Sequence, residues 1–211
     1  MLKIHYHPIS FPALCAVFAA EATGCEYESV VVDLVTGANK TDAYLAINPF
    51  GRVPALQDGD FTLGESAAMM RYMAKREGSS LYAGGAKREA EIDQWMDFIV
   101  NHIRTNVARV QFNRVIAPMI GSDVDEGSIK LGLEFLENNL PHIERQLTEH
   151  AFLCGAEMTL ADVMLVGSLE PVKMANIDIS VYPNLEKWLT ARRSEPFYTN
   201  VHTHFGAEMG L

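Results

Sequence analysis

Three short stretches hold residue types at spacings that could do chemistry. Ser10 stands in the run His7-Pro8-Ile9-Ser10-Phe11-Pro12, where Pro12 suits the first turn of a helix. A serine at that place reads first as a cap, and a chemical role needs support from the rest of the chain. The second stretch is Val53-Pro54, at the entry to a strand that a proline can only begin or edge. It is either a plain hairpin entry or a cis peptide that presents the Val53 backbone to a peptide-like ligand. The third is Glu65-Ser66, just before Ala67-Ala68-Met69-Met70, with Ser66 where a helix N-cap belongs. Other reactive side chains are less promising. Cys15, Cys25 and Cys154 are odd in number and form no C-x-x-C, so reduced thiols are the default reading. Cys15 falls inside a helix, where a small buried residue is expected. His202 and His204 are too few for a metal site, and no metal is expected. His5 and His7 share a parity on the first strand and read as its polar face.

The elements that must position these residues follow from periodicity. Leu2 to Tyr6 alternates like a half-buried strand. Leu14, Val17 and Phe18 mark a helix that Gly24 ends. Val30-Val31-Val32 marks a second strand, so residues 2–34 form a βαβ unit with parallel strands and a right-handed crossover. A short helix over 41–47 comes next. The hairpin turn Asp58-Gly59-Asp60 then joins two short strands, and a helix runs from Ser66 to about Glu77. The order β-α-β-α-β-β-α is a thioredoxin-like arrangement over residues 1–78. Residues 79–86 are glycine- and serine-rich and read as a linker. From residue 87 to 211 the pattern is helical throughout. One helix spans Glu89 to about Ala117 and is ended or kinked by Pro118. Another spans Asp123 to Leu147, interrupted near Pro141. A third begins at the capping-box pattern Thr159-x-x-Asp162, and a fourth runs from Pro183 to about Arg193. The fold class expected is α/β plus all-α: a thioredoxin-like domain followed by an all-helical one.

Composition narrows the partners. Apolar residues make up 48% of the 211, charged residues 21%, and the net charge is −10. Such an acidic chain disfavours nucleic acid and anionic membranes, which need clustered Lys and Arg. No run reaches the roughly 18 apolar residues that span a bilayer. The N-terminus enters a strand at once, without a secretory apolar stretch, so a cytoplasmic location is expected.

The blocks NPFGRVPAL, DGD and Glu65-Ser66 resemble the glutathione-binding half of the glutathione transferases, and their wording is most similar to the Ser-type phi class. Phe152-Leu153-Cys154-Gly155 with MTLADVML, and PNLEKWL, resemble the family's C-terminal signature. The resemblance runs the length of the chain. It implies a cosubstrate, glutathione, whose thiol has to be ionised near neutral pH. A free thiol has a pKa of about 8.5, and each unit of depression takes about 1.4 kcal/mol of preferential thiolate stabilisation. The resemblance makes Ser10 the catalytic residue. Its hydroxyl donates to the sulfur at the positive end of the following helix, and the thiolate attacks a hydrophobic electrophile or a peroxide. Glu65 then pairs with the glutathione ammonium, and Ser66 takes the γ-glutamyl carboxylate at the helix N-terminus. Val53, beside Pro54, offers paired backbone bonds to the cysteinyl unit. Asn39 and Lys40 fall where phi enzymes carry a His-Lys pair for the glycyl carboxylate, with Asn39 departing from that pattern. Arg52 contacts either the glycyl end or solvent. The electrophile would lie among Ile9, Phe11, Leu34 and Val35 on one side and Phe112, Val115, Ile116 and Met119 on the other, where core packing is the competing reading for each. A homodimer is implied. The competing functions are a non-catalytic carrier or transferase-fold interaction module, and a thiol-disulfide oxidoreductase, which the absence of a cysteine at position 10 disfavours.

Overall fold

The computed structural model describes residues 1–209, with side chains through Thr203. The chain forms two compact units, Met1–Gly85 joined by the segment from Ser194, and Ala86–Arg193.

In the first unit, strand β1 (Leu2–Tyr6) leads into helix α1 (Phe11–Thr23) and strand β2 (Tyr27–Val31). A short 3-10 turn, Ala38–Lys40, and helix α2 (Asp42–Leu45) precede strands β3 (Ala55–Asp58) and β4 (Phe61–Leu63), and helix α3 (Ser66–Arg76) follows. The order β-α-β-α-β-β-α is the expected one. The sheet is ordered β2-β1-β3-β4. β1 and β2 are parallel, as a βαβ unit requires, and β3 and β4 are antiparallel to their neighbours. The hairpin turn is Gly59-Asp60, flanked by the pair Asp58 and Phe61. Gly59 carries φ +61°, the glycine-first order of a type II′ turn.

Helix α1 is buried from Phe11 to Ala20 apart from Pro12. A helix that is apolar all round must be covered all round, and α1 packs against β1, α3 and α10 (Pro196–Met209). Phe18 meets the rings of Phe197, Tyr198 and His202 at 6.0, 5.3 and 5.9 Å between centroids. This packing places the segment from Ser194 with the first unit, whereas the expected boundary put all of 87–211 in the helical half. Residues 79–85 of the expected linker also belong to the first unit: Leu81 and Tyr82 are buried, and the Lys75 ammonium lies 5.2 Å from the Tyr82 ring centroid.

Other expectations need correction. His5 is buried rather than on a polar face, because the sheet is covered there too: its ring bonds Gln57 at 2.6 Å and meets Tyr44 edge-on. Ser66 is the first helical residue of α3 and not its cap. Glu65 occupies the cap position, with φ +60° and ψ 108° and no side-chain capping bond.

The second unit is helical. Residues 85–119 form one unbroken helical run, in which α4 (Gly85–Phe98), α5 (Thr105–Gln111) and α6 (Ala117–Met119) alternate with π-helical stretches at Ile99–Arg104 and Phe112–Ile116. Pro118 lies in its last turn, and the run ends one residue later, at Met119. Helix α7 (Glu126–Glu149) continues through Pro141 rather than breaking there. Helix α8 (Leu160–Ser168) starts at a closed capping box: the Thr159 N–H and hydroxyl both donate to Asp162 Oδ2, at 2.8 and 2.9 Å. Leu153 N–H donates to Asp162 Oδ1 at 3.0 Å. Burial pushes this fully enclosed carboxyl up to about 6, and the three donors pull against that shift. Helix α9 (Pro183–Arg192) is capped from α7, where Glu144 accepts from the backbone N–H groups of Asn184 and Leu185 at 3.1 and 2.8 Å. No helix among the described residues is long and apolar enough to cross a membrane.

Candidate active site

Strand register alone gathers most of the singled-out residues. Tyr6, where β1 ends, lies opposite Val31, where β2 ends. His5 lies opposite Ala55, the first residue of β3. Leu56 lies opposite Leu63, the last residue of β4. The chain therefore leaves β1, leaves β2, enters β3 and leaves β4 at the same end of the sheet. Ser10, Val53-Pro54 and Glu65-Ser66 sit on three of these segments, within four residues of a strand end. Helices α1 and α3 also begin there, so two N-terminal partial positive charges point to one region. Neither helix has an acidic residue in its first turn to offset that charge.

Ser10 has the backbone position of an N-cap, with φ −89° and ψ 95°, yet its side chain makes no capping bond. Its main chain is held instead. Its N–H donates to the His7 carbonyl at 2.9 Å, and its carbonyl accepts from Ala13 and Leu14 at 2.8 and 3.1 Å. The capping reading of Ser10 therefore fails on geometry, and the half-buried hydroxyl is not committed to the helix.

The bond between Val53 and Pro54 is cis, the sharper of the two readings of that stretch. Just before it, Asn39 Nδ2 and Lys40 Nζ both donate to the Gly51 carbonyl, at 2.7 and 3.1 Å. This pair closes the segment after β2 onto the loop before β3, and Lys40 keeps two further ammonium hydrogens for other acceptors. Gly51 has φ +57°, a conformation strained for a residue with a Cβ, and a Cβ there would crowd the Asn39 carbonyl oxygen at 3.1 Å. Arg52 exposes its side chain while its carbonyl accepts from Tyr44 Oη at 2.8 Å and Asn48 Nδ2 at 2.7 Å.

Glu65 is exposed, and its φ and ψ lie outside the basins ordinary residues occupy. Such a conformation costs about 1–3 kcal/mol and persists where the surroundings impose it, most often at functional sites. Ser66, directly after it, is buried.

The residues expected around the electrophile divide by environment. Phe11 is a core residue at 5% exposure, and Leu34 packs on Val32, Tyr44 and Ala55. Ile9 is half-buried, and Val35 stands out at 92% exposure. In the second unit Phe112 and Met119 are 46% and 68% exposed, and Val115 and Ile116 are half-buried. Phe112 to Ile116 is the second π-helical stretch, a distortion frequent at functional sites.

The comparisons with known proteins bear on this geometry. Residues 3–75 match the glutathione S-transferase N-terminal domain model, and residues 112–196 match the C-terminal domain model. Glutathione S-transferase 3 of Zea mays is 31% identical over 203 residues, covering 93% of this chain and 91% of that protein. The chain belongs to the glutathione S-transferase family. Its relatives are plant phi-class enzymes, among them glutathione S-transferase F10 of Arabidopsis thaliana, 34% identical over 77% of each chain. The structure of glutathione S-transferase I bound with the ligand lactoylglutathione superposes with a TM-score of 0.87 at 29% identity, covering 96% of this chain and 98% of that one.

In this transferase the sequence pointed to most residues at the sheet end but passed over those that hold them. Tyr44 and Asn48, both buried, lock the Arg52 carbonyl, and Asn48 Oδ1 also accepts from the Phe50 N–H at 3.2 Å. An asparagine opening the NPFG turn was the one available signal. Tyr44 gave none, since a tyrosine in a short helix reads as packing. Among the described residues no group of three or more His, Cys, Asp or Glu could hold a metal ion.

Proposed function

We propose that this glutathione transferase ionises the glutathione thiol, its proton leaving to solvent, through Ser10 and the N-terminus of α1, and that the thiolate attacks the electrophilic carbon of a hydrophobic substrate to form a thioether. The attack either displaces a leaving group with its electron pair or adds across an activated double bond whose carbanion takes a proton from solvent. The observation that carries the reading is the Ser10 hydroxyl. It stands at a helix start, next to the chain leaving β1, and caps nothing. A hydrogen bond to a charged group contributes about 1.5–3 kcal/mol, and the helix end adds to it. Together they bring a thiol of pKa about 8.5 to or below neutrality.

The ligand's remaining groups match the other segments. Glu65 pairs with the ammonium, and the first N–H groups of α3 with Ser66 take the γ-glutamyl carboxylate. The Val53 backbone beside Pro54 binds the cysteinyl unit in the manner of an added strand. Lys40, with Asn39 and Arg52, serves the glycyl carboxylate. On the first unit, Ile9 and Val35 are the residues that meet the electrophile. The enzyme works as a homodimer in the cytoplasm, where Cys15, Cys25 and Cys154 remain outside any disulfide.

The test is Ser10→Ala. The expected result is a fall in kcat/KM of about ten- to a hundredfold, with the absorbance titration of the bound thiolate displaced upward and glutathione affinity changed little. Near wild-type turnover with an unchanged titration would remove Ser10 from the chemistry.

A further inference from the structure

The turn that carries Ser10 is held by a residue the scheme above does not use. His7 accepts from this turn twice. Its carbonyl takes the Ser10 N–H at 2.9 Å, and its ring Nδ1 takes the Ile9 N–H at 3.3 Å. A ring nitrogen that accepts is unprotonated, so the imidazole is neutral with its hydrogen on Nε2. The contact has the form of an Asx turn, in which a side-chain acceptor takes the N–H two residues on. Since the Ser10 side chain makes no capping bond, the direction of its hydroxyl depends on this backbone turn.

We propose that His7 is a positioning residue for the transferase reaction: its neutral ring fastens the turn over residues 7–10 and so aims the Ser10 hydroxyl at the glutathione sulfur, and protonation of the ring releases it. The inference rests on the role given to Ser10 above. The electrostatics agree with it. Burial holds the His7 ring below the ordinary histidine range. Asp33, in the segment leaving β2, is the charged group facing it and pulls the other way. Asp33 itself stays ionised, because Thr36 and Val35 donate to its carboxylate. The net lowering keeps His7 neutral at pH 7, with the turn closed, and opens the turn only in acid. Two protonations then act against turnover at low pH, one on the bound sulfur and one on His7. Protonation of the sulfur alone gives log kcat/KM a slope of one in that limb, and protonation of His7 adds a finite step of roughly fivefold, the size of one lost hydrogen bond.

The experiment compares wild type, Ser10→Ala, His7→Ala and His7→Asn. It measures kcat/KM and the absorbance titration of bound glutathione from about pH 5 to about pH 9. His7→Ala is expected to lower kcat/KM at neutral pH roughly fivefold, the size of one ordinary hydrogen bond, and to displace the bound-thiol titration upward. His7→Asn places an amide oxygen where Nδ1 stood. It is expected to recover activity to within about twofold and to lose the extra acid step, leaving only the slope-one fall from the sulfur, because the asparagine does not titrate. The extra acid step retained in His7→Asn, or a wild-type thiol titration in His7→Ala, overturns the proposal. The two levels separate cleanly. If Ser10→Ala leaves the thiol titration unmoved, the Ser10 reading fails; if Ser10→Ala moves it and His7→Ala does not, only the His7 inference fails.

Discussion

The helices of the two units begin differently. In the helical unit the beginnings of α7, α8 and α9 are closed. Asp125 accepts from the Ser128 N–H at 2.9 Å at the head of α7, Thr159 and Asp162 close the box on α8, and Glu144 reaches from α7 to cap α9. In the first unit α1 and α3 begin open. Ser10 and Glu65 occupy the cap positions of α1 and α3, neither side chain caps, and no acid stands in either first turn. Orphan N–H groups at a helix start call for a partner. At α7, α8 and α9 the helical unit supplies partners from its own side chains, whereas at α1 and α3 neither cap residue does, and under the proposed function an anionic ligand takes that place. A hydroxyl at a helix cap position therefore means different things at Thr159 and at Ser10. The distinction is visible only once bonding partners are counted.

The largest effect is expected on the closed side. Asp162→Ala removes the acceptor for three donors and leaves the Leu153 and Thr159 N–H groups buried without one. A loss of about 3–5 kcal/mol is expected, read from the denaturant midpoint. Against a total stability of about 5–15 kcal/mol this can abolish folding at raised temperature. Thr159→Ala, at about 1–2 kcal/mol, provides a folded variant for the same measurement. Ser10→Ala should do the reverse, moving the thiolate titration and turnover while the midpoint stays within about 0.5 kcal/mol. If Ser10→Ala destabilised the protein as Thr159→Ala does, both helix starts would be structural and the contrast would disappear.

The next effect concerns Glu65. Glu65→Ala removes the carboxylate but keeps a Cβ at φ +60°, whereas Glu65→Gly removes both. Both variants should weaken glutathione binding by a similar factor, roughly fivefold for one exposed charge pair. Glu65→Gly should also be more stable than Glu65→Ala by about 1 kcal/mol, because glycine carries no Cβ to strain. Equal stabilities would mean that the unusual backbone is relaxed and carries no functional strain. An unchanged Michaelis constant for glutathione would remove Glu65 from the site.

Part of this contrast was legible in the sequence. The parallel pair β1 and β2 followed from a strand, a helix and a strand within one short span, and the β3–β4 hairpin followed from Asp58-Gly59-Asp60. The capping box at Thr159 and Asp162 was also written locally, because both partners lie within one turn. What escaped was non-local. Helix α7 passes through Pro141 because surrounding packing outweighs one lost backbone bond. His5 is buried because both faces of β1 are covered, which alternation along one strand cannot reveal. Asn48 and Tyr44 looked like ordinary loop and helix residues until the loop before β3 folded back on them. The exposed Glu65 carried no sign of its backbone, since a glutamate near a helix start is unremarkable in composition.

The smallest effects give the sharpest form of the comparison, through a reciprocal exchange of the two hydroxyl residues. Thr159→Ser keeps the hydroxyl that donates to Asp162 and deletes one buried methyl. The expected cost is about 0.5–1 kcal/mol of stability, with kinetics unchanged. Ser10→Thr adds a methyl beside a hydroxyl that must turn toward a ligand, and β-branching restricts that rotation. The expected outcome is a fall of a few-fold in kcat/KM, equivalent to about 1 kcal/mol, at unchanged stability. If one hydroxyl serves the fold and the other serves the bound sulfur, the two exchanges have no shared symptom. A kinetic defect in Thr159→Ser, or a stability defect without a kinetic one in Ser10→Thr, would show that the open and closed helix starts are not divided between function and fold.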